Sequence, residues 1–278
     1  MPELLESALN HLRVTKRLAT RHGASVGERL GRLDDRFVFV VGSPRSGTTF
    51  LAGAIGSVPG FVDLGEVAPV KAAIPELASL APQAAAARLR SILRVARRAG
   101  LVGAVRPVEQ TPELAHVARA LPLAYPQAQV VHIVRDGRDV VCSLLEKPWL
   151  RRDERSADDA GIAYGSYARF WVEPERRDEF ERASDARRAA WVWRRYVTAA
   201  RSSDAVSVEL RYEELARDPD AIASRLADSI AAPRGPLLVG LRRVHGGSIG
   251  RYERELDEEQ LAEVVDEAGD LLGELGYR

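Results

Sequence analysis

The run Phe37–Leu51, FVFVVGSPRSGTTFL, limits what this chain can fold into more than any other stretch. Phe37–Val41 is unbroken, apolar and rich in β-branched residues, the pattern of a strand buried on both faces. A glycine loop follows directly, and TTFLAGAIGSV reads as a helix from about Thr48. Strand, glycine loop and helix start, in that order, build an anion site. Free backbone N–H groups converge at the helix N-terminus, and the helix dipole favours negative charge there. Gly42 and Gly47 have the spacing of a G-x-x-x-x-G-K-[ST] phosphate loop, yet Thr48 stands where the lysine belongs. An arginine, Arg45, lies inside the loop instead.

The rest of the chain repeats the strand-to-helix pattern. Phe61–Glu66 and the segment LVGAVRPVEQ offer short strands, and Gln129–Val134 is a second clear strand followed by a helix from about Gly137. Residues 67–99 read as helical, interrupted near Pro75 and Pro82, and Pro112 suits a first helical turn capped by Thr111. ARRAAWVWRRYVTAAR reads as a long helix, AVSVELRYEEL as a last strand and turn, and the C-terminal segment as an amphipathic helix closed by Gly276. Alternating strands and helices predict an α/β fold with a central parallel sheet flanked by helices. Residues 148–184 break the pattern and are expected to form a helical cap over the sheet, with Trp149, Tyr164, Tyr167, Phe170 and Trp171 in it. Residues 1–35 are expected to be a helical lead-in, and the whole chain a single domain.

Composition narrows the partners. Lysine plus arginine balances aspartate plus glutamate at 40 each, so no net field points to nucleic acid or an anionic membrane. Only Lys16, Lys71 and Lys147 are lysines. A single cysteine, Cys142, rules out an internal disulfide and a cysteine-based metal site. The N-terminal segment lacks a continuous apolar stretch, so neither a secretory signal nor a membrane span is expected, and the setting read from this is cytoplasmic.

The missing lysine says what the loop is not built for. Transfer from a nucleoside triphosphate develops charge on the β and γ groups, which that lysine and Mg²⁺ normally manage. A sulfuryl group carries one negative charge and needs less. GSPRSGTT resembles the 5′-phosphosulfate loop of sulfotransferases that use 3′-phosphoadenosine 5′-phosphosulfate (PAPS), in the P-R-S-G-T-T form of tyrosylprotein, carbohydrate and many bacterial enzymes. The resemblance implies a P-loop-like three-layer fold and donor contacts from Gly42, Ser43, Pro44, Arg45, Ser46, Gly47, Thr48 and Thr49. VVHIVRDGRDVVCSLL resembles the family's 3′-phosphate segment, in which a serine follows an arginine by eight residues, here Arg135 and Ser143. Arginine suits that task because its planar fork grips phosphate bidentately. ELRYEELARDP and GGSIGRYEREL resemble later nucleotide-contacting segments, which would bring in Tyr212, Ser248, Gly250 and Arg251. No metal is implied. The partner implied is a hydroxyl-bearing acceptor: small molecule, carbohydrate or lipid.

Such a transfer needs a base for the hydroxyl proton and positive charge where the leaving oxygen develops its own. Glu66 is the candidate base, since tyrosylprotein sulfotransferases resemble this chain in placing a G-E glutamate at this distance after the loop arginine. An ordinary glutamate titrates near pH 4, so the role calls for burial or a nearby anion. His116 is the second candidate. Arg45 would stabilise the leaving group. Gln110 departs from the family, where lysine often stands and contacts the bridging oxygen. Two alternatives therefore stay open: a catalytically weak or silent nucleotide-binding protein, motivated by Gln110, and a P-loop kinase.

Overall fold

Five strands form one sheet in the computed structural model, which describes residues 35–98, 105–147, 150 and 169–277. In chain order they are β1 (Val38–Val41), β2 (Phe61–Gly65), β3 (Arg106–Glu109), β4 (Gln129–Val134) and β5 (Val208–Arg211). Every pairing is parallel, and the spatial order is β2-β3-β1-β4-β5. The connections after β1 run first to one side of the sheet and then, after β3, cross to the other. That reversal at β1 opens a crevice at the carboxyl ends of the strands, the place where open α/β sheets take ligands.

The pleat of β1 explains why its sequence is apolar without a break. Phe39 and Val41 belong to one hydrophobic cluster, Val38 and Val40 to another, one on each sheet face. Helices cover both. On the Val38 side lie α1 (Thr48–Gly56) and, late in the chain, the helices between Tyr212 and Leu241. On the Phe39 side lie α2 (Ala68–Ser79), α3 (Pro82–Arg98), α4 (Ala120–Ala124), α5 (Gly137–Leu145), α7 (Asp185–Arg201) and the C-terminal helix Glu258–Glu274, with α6 (Arg177–Arg182) packed on α7.

The helix ends follow the sequence chemistry. Ser184 caps α7 by accepting from the Arg187 N–H at 3.1 Å, and Asp257 with Gln260 forms a capping box for Glu258–Glu274. Gly276, at φ 74°, ends the last helix as expected. Two sequence expectations are corrected. Pro75 does not interrupt its helix: α2 runs through it, because Val70, Ile74 and Leu77 fix the flanking turns in the core, and the break falls at Leu80. Thr111 does not cap the turn at Pro112 through its side chain, which donates instead to the Glu109 carboxylate, and the turn is a 3-10 helix, Pro112–Val117.

Of the expected cap, Trp149, Tyr164 and Tyr167 lie outside the described residues, as does the lead-in up to residue 34. Phe170, Trp171 and α6 are described. Trp171 is buried against Phe180 and Tyr196, and this segment packs on α7.

Candidate active site

A parallel sheet brings all its carboxyl ends to one edge, and here the residue after each strand is one that the sequence singles out. Gly42 follows β1, Glu66 follows β2, Gln110 follows β3, Arg135 follows β4 and Tyr212 follows β5. Residues scattered over 170 positions are thus gathered by topology alone.

The loop after β1 needs both of its glycines. A Cβ on Gly42 would sit 2.4 Å from the Ile133 carbonyl oxygen, and one on Gly47 would sit 2.7 Å from the Tyr212 ring. Gly47 has φ 97°, and Arg45 takes the left-handed region at φ 70°, a conformation that costs a non-glycine residue on the order of 1–3 kcal/mol. Ser43, Ser46 and Thr48 are buried, while Arg45 and Thr49 are exposed. The Ser46 hydroxyl is sealed from solvent without a hydrogen-bond partner among the described residues, and α1 carries neither an acidic first turn nor a side-chain cap. An uncapped helix start with a spare buried donor is a receptor for an anion.

The loop meets the β4–α5 unit. Arg45 donates through Nε to the Ser143 hydroxyl at 2.9 Å, joining the two motifs across 98 residues of chain. Arg135 is buried, its guanidinium lying 4.9 Å from the Tyr212 ring centre, and its Nη2 donates to the Ser248 carbonyl while lying 3.7 Å from Asp139. Its Nε is buried with no hydrogen-bond partner among the described residues. The backbone carrying it is held by α7: the Trp193 indole donates to the Arg135 carbonyl at 3.0 Å and lies flat against Gly137, where a Cβ would approach it to 2.7 Å. Tyr212 is wedged beneath both loop and arginine, its hydroxyl donating to the His245 carbonyl at 2.9 Å.

Asp139 ties down the late segment by accepting from the Gly250 N–H at 2.9 Å and the Tyr252 N–H at 3.2 Å. Ser248 and Gly250 therefore join the Arg135 side of the site. The Arg251 guanidinium is engaged by Glu146 and Glu255.

Charge gathers at the β2 and β3 ends. Glu66 is half-buried, and its carboxylate pairs with the Lys71 ammonium, which also lies 3.5 Å from Glu113. The base role calls for burial or a nearby anion; Glu66 is half-buried, and its direct partner is a cation that it shares with Glu113. Gln110 is buried and its Oε1 accepts from the Thr49 hydroxyl at 3.2 Å, so it does adjoin the loop. Glu109 is completely buried, accepting from the Val67 N–H at 3.1 Å, the Thr111 N–H at 3.0 Å and the Thr111 hydroxyl. It clamps the residue after Glu66 to the one after Gln110.

Burial pushes the Glu109 carboxyl up to about 7 against those three hydrogen bonds. Its proton affinity in the unfolded chain is lower, so folding takes up a proton between about pH 4.5 and 7, and stability falls as pH rises through that window. Urea midpoints measured from about pH 5 to about pH 8 should show this slope, and Glu109→Gln should flatten it; an unchanged slope in the variant would assign it to another group.

His116 stacks edge-on against Tyr196 at 4.5 Å and Phe170 at 5.3 Å, and desolvation, then the nearby Arg195 charge, hold its imidazole down at about 3. An imidazole so reluctant to take a proton is a poor base at neutral pH. Sequence reasoning missed Lys71, Glu109, Glu113 and Trp193. Only Lys71 left a signal, as a rare lysine in a chain whose cations are nearly all arginine.

A parallel α/β sheet with an uncapped glycine loop after its central strand is a P-loop-like fold, a framework on which nucleotide-binding sites are built. The sulfotransferase family model matches residues 77–234, more than half of the chain, and the chain belongs to that family. The match takes in Arg135, Ser143 and Tyr212 and starts after the loop. Among solved structures, the sulfotransferase domain of the Synechococcus PCC 7002 olefin synthase is similar at 15% identity and a TM-score of 0.51, covering 89% of this chain and 98% of that one. The sulfotransferase domain from the curacin biosynthetic pathway is similar at 15% identity and a TM-score of 0.52, covering 89% and 99%. At this identity the likeness speaks to fold. No curated protein sequence matches the chain. Among the described residues no helix is long and apolar enough to cross a membrane.

Proposed function

We propose that the chain moves a sulfuryl group from PAPS to a hydroxyl of a small-molecule, carbohydrate or lipid acceptor, without a metal ion. One observation carries the reading: the PRSGTT loop and the Arg135…Ser143 segment meet through the Arg45–Ser143 hydrogen bond, next to an arginine whose buried Nε has no hydrogen-bond partner among the described residues. Phosphate and sulfate oxygens of a bound donor would satisfy the Arg135 Nε and the Ser46 hydroxyl, two buried donor atoms with no hydrogen-bond partner among the described residues.

The roles follow from position. The loop and the start of α1 hold the 5′-phosphosulfate; Arg135, Ser143 and the 248–251 segment hold the 3′-phosphate; Tyr212 backs the two. Arg45 supplies fixed charge to the leaving oxygen. Glu66 takes the acceptor's proton from the neighbouring strand end, where its side chain keeps access to solvent, while His116 is enclosed by the Phe170 and Tyr196 rings. Gln110 is the observation that favours a second reading, a silent PAP- or PAPS-binding protein. Its amide offers no charge and its oxygen is turned to Thr49.

Calorimetric titration with adenosine 3′,5′-bisphosphate (PAP), AMP and ATP–Mg²⁺ tests the nucleotide assignment. PAP should bind much more tightly than AMP, and Arg135→Ala should weaken PAP while barely changing AMP. Charge-assisted hydrogen bonds of this kind contribute about 1.5–3 kcal/mol each, so the loss should be roughly 10- to 150-fold. Equal losses for both ligands would make Arg135 structural, and tighter binding of ATP–Mg²⁺ would favour a kinase.

A further inference from the structure

We infer that Lys71 is a positioning residue for the base and that Glu113 makes that role workable, an inference that rests on reading Glu66 as the base. Lys71 stands in the first turn of α2 and is only 4% exposed, although its charge is costly to bury. Its ammonium lies between two carboxylates from different elements: Glu66 at the end of β2 and Glu113 on the 3-10 turn after β3. Structural neutralisation alone would be met by Glu113, which is buried beside it. Glu66 is the partner with access to solvent, at 28% side-chain exposure.

The geometry divides the labour of the Glu66 carboxylate. Oε2 is anchored by Lys71, whereas Oε1 makes no hydrogen bond to a described residue. The backbone is fixed as well, since Glu109 holds the N–H of the next residue, Val67. A carboxylate clamped at one oxygen and along its backbone presents the other oxygen in one orientation. Proton abstraction rewards that, because a reacting group displaced by about 1 Å loses on the order of 10²-fold in rate.

Glu113 answers for the charge during the step. The acceptor's O–H proton passes to Glu66 Oε1 while the acceptor oxygen bonds to sulfur. The bond from sulfur to the 5′-phosphate oxygen breaks, and its electron pair leaves with PAP. Glu66 becomes neutral, so an ammonium paired with it alone would be stranded in the interior at the moment of reaction. With Glu113 beside it, Lys71 keeps a counter-charge before and after the proton moves.

The test uses the full-length chain, PAPS and 4-nitrobenzyl alcohol as acceptor, with PAP affinity and the thermal midpoint measured on each variant. Lys71→Met should lower kcat by up to about 10²-fold, with acceptor KM and PAP affinity little changed. The double variant Glu66→Gln/Lys71→Met should be no slower than Glu66→Gln, because Lys71 acts through Glu66. Should Lys71→Met not fold, Glu113→Gln serves, since it takes the buried carboxylate charge away from the Lys71 ammonium and should likewise lower kcat without moving PAP affinity. If Glu66→Gln is slow while Lys71→Met or, failing that, Glu113→Gln turns over at the wild-type rate, the positioning role is overturned and the base stands. Losses that multiply in the double variant would overturn it too. Wild-type turnover by Glu66→Gln would remove the base itself.

Discussion

Glu66→Gln should slow transfer to an alcohol by about 10²–10⁴-fold, the usual cost of losing a general base. The amide keeps the shape and can still meet Lys71 through its oxygen, so the variant should fold and bind PAP as the wild type does. The choice of acceptor sharpens the result. A phenol acidic enough to be ionised at the assay pH has no proton to give up, so Glu66→Gln should transfer to 4-nitrophenol nearly as fast as the wild type while failing with 4-nitrobenzyl alcohol. Equal slowing on both acceptors would mean that Glu66 binds or orients them, and equal retention on both would return the base role to another group.

Arg45→Ala should cost on the order of 10²–10³-fold in the rate of the chemical step, the scale seen when one fixed stabiliser of developing charge is removed. Unlike Glu66→Gln, it should be slow with both acceptors, because the leaving oxygen on PAP is the same whichever hydroxyl attacks. The structure adds a second expectation. Arg45 holds the left-handed conformation at φ 70° and donates to Ser143, so truncation also frees that hydroxyl. PAP affinity should consequently change far less than kcat. A parallel fall of both would make Arg45 a ground-state binding residue and leave the leaving group without an assigned cation, since Gln110 offers only an amide.

The parts of this site that were legible in the sequence are those written locally. An apolar run followed at once by glycines gives β1 and its loop, because a doubly buried strand and a tight turn each demand particular residue types over a few positions. Arg135 and Ser143 share one strand-to-helix unit, so their spacing survives as a pattern. Lys71 and Glu113 do not. Nothing near Lys71 in the sequence says that Glu113, on a separate connection 42 residues later, shares its ammonium. Glu109 was equally hidden, since its partner Val67 lies on another strand's connection. Pro75 misled because a helix-breaking residue was read without the buried face that carries α2 through it. His116 was ambiguous for the same reason: its place on the turn was readable, whereas the rings of Phe170 and Tyr196 that desolvate it come from distant segments.

Transfer of ³⁵S from labelled PAPS, in EDTA, to a panel of sugar, aliphatic and aromatic hydroxyls tests the central claim most directly. The account predicts labelled acceptor and PAP formed in equal amounts, at a rate lowered on the order of 10²–10³-fold by Arg45→Ala and undiminished by the chelator. Tight PAP binding with the label left on PAPS throughout the panel, or turnover that stops in EDTA and returns with Mg²⁺, would contradict it.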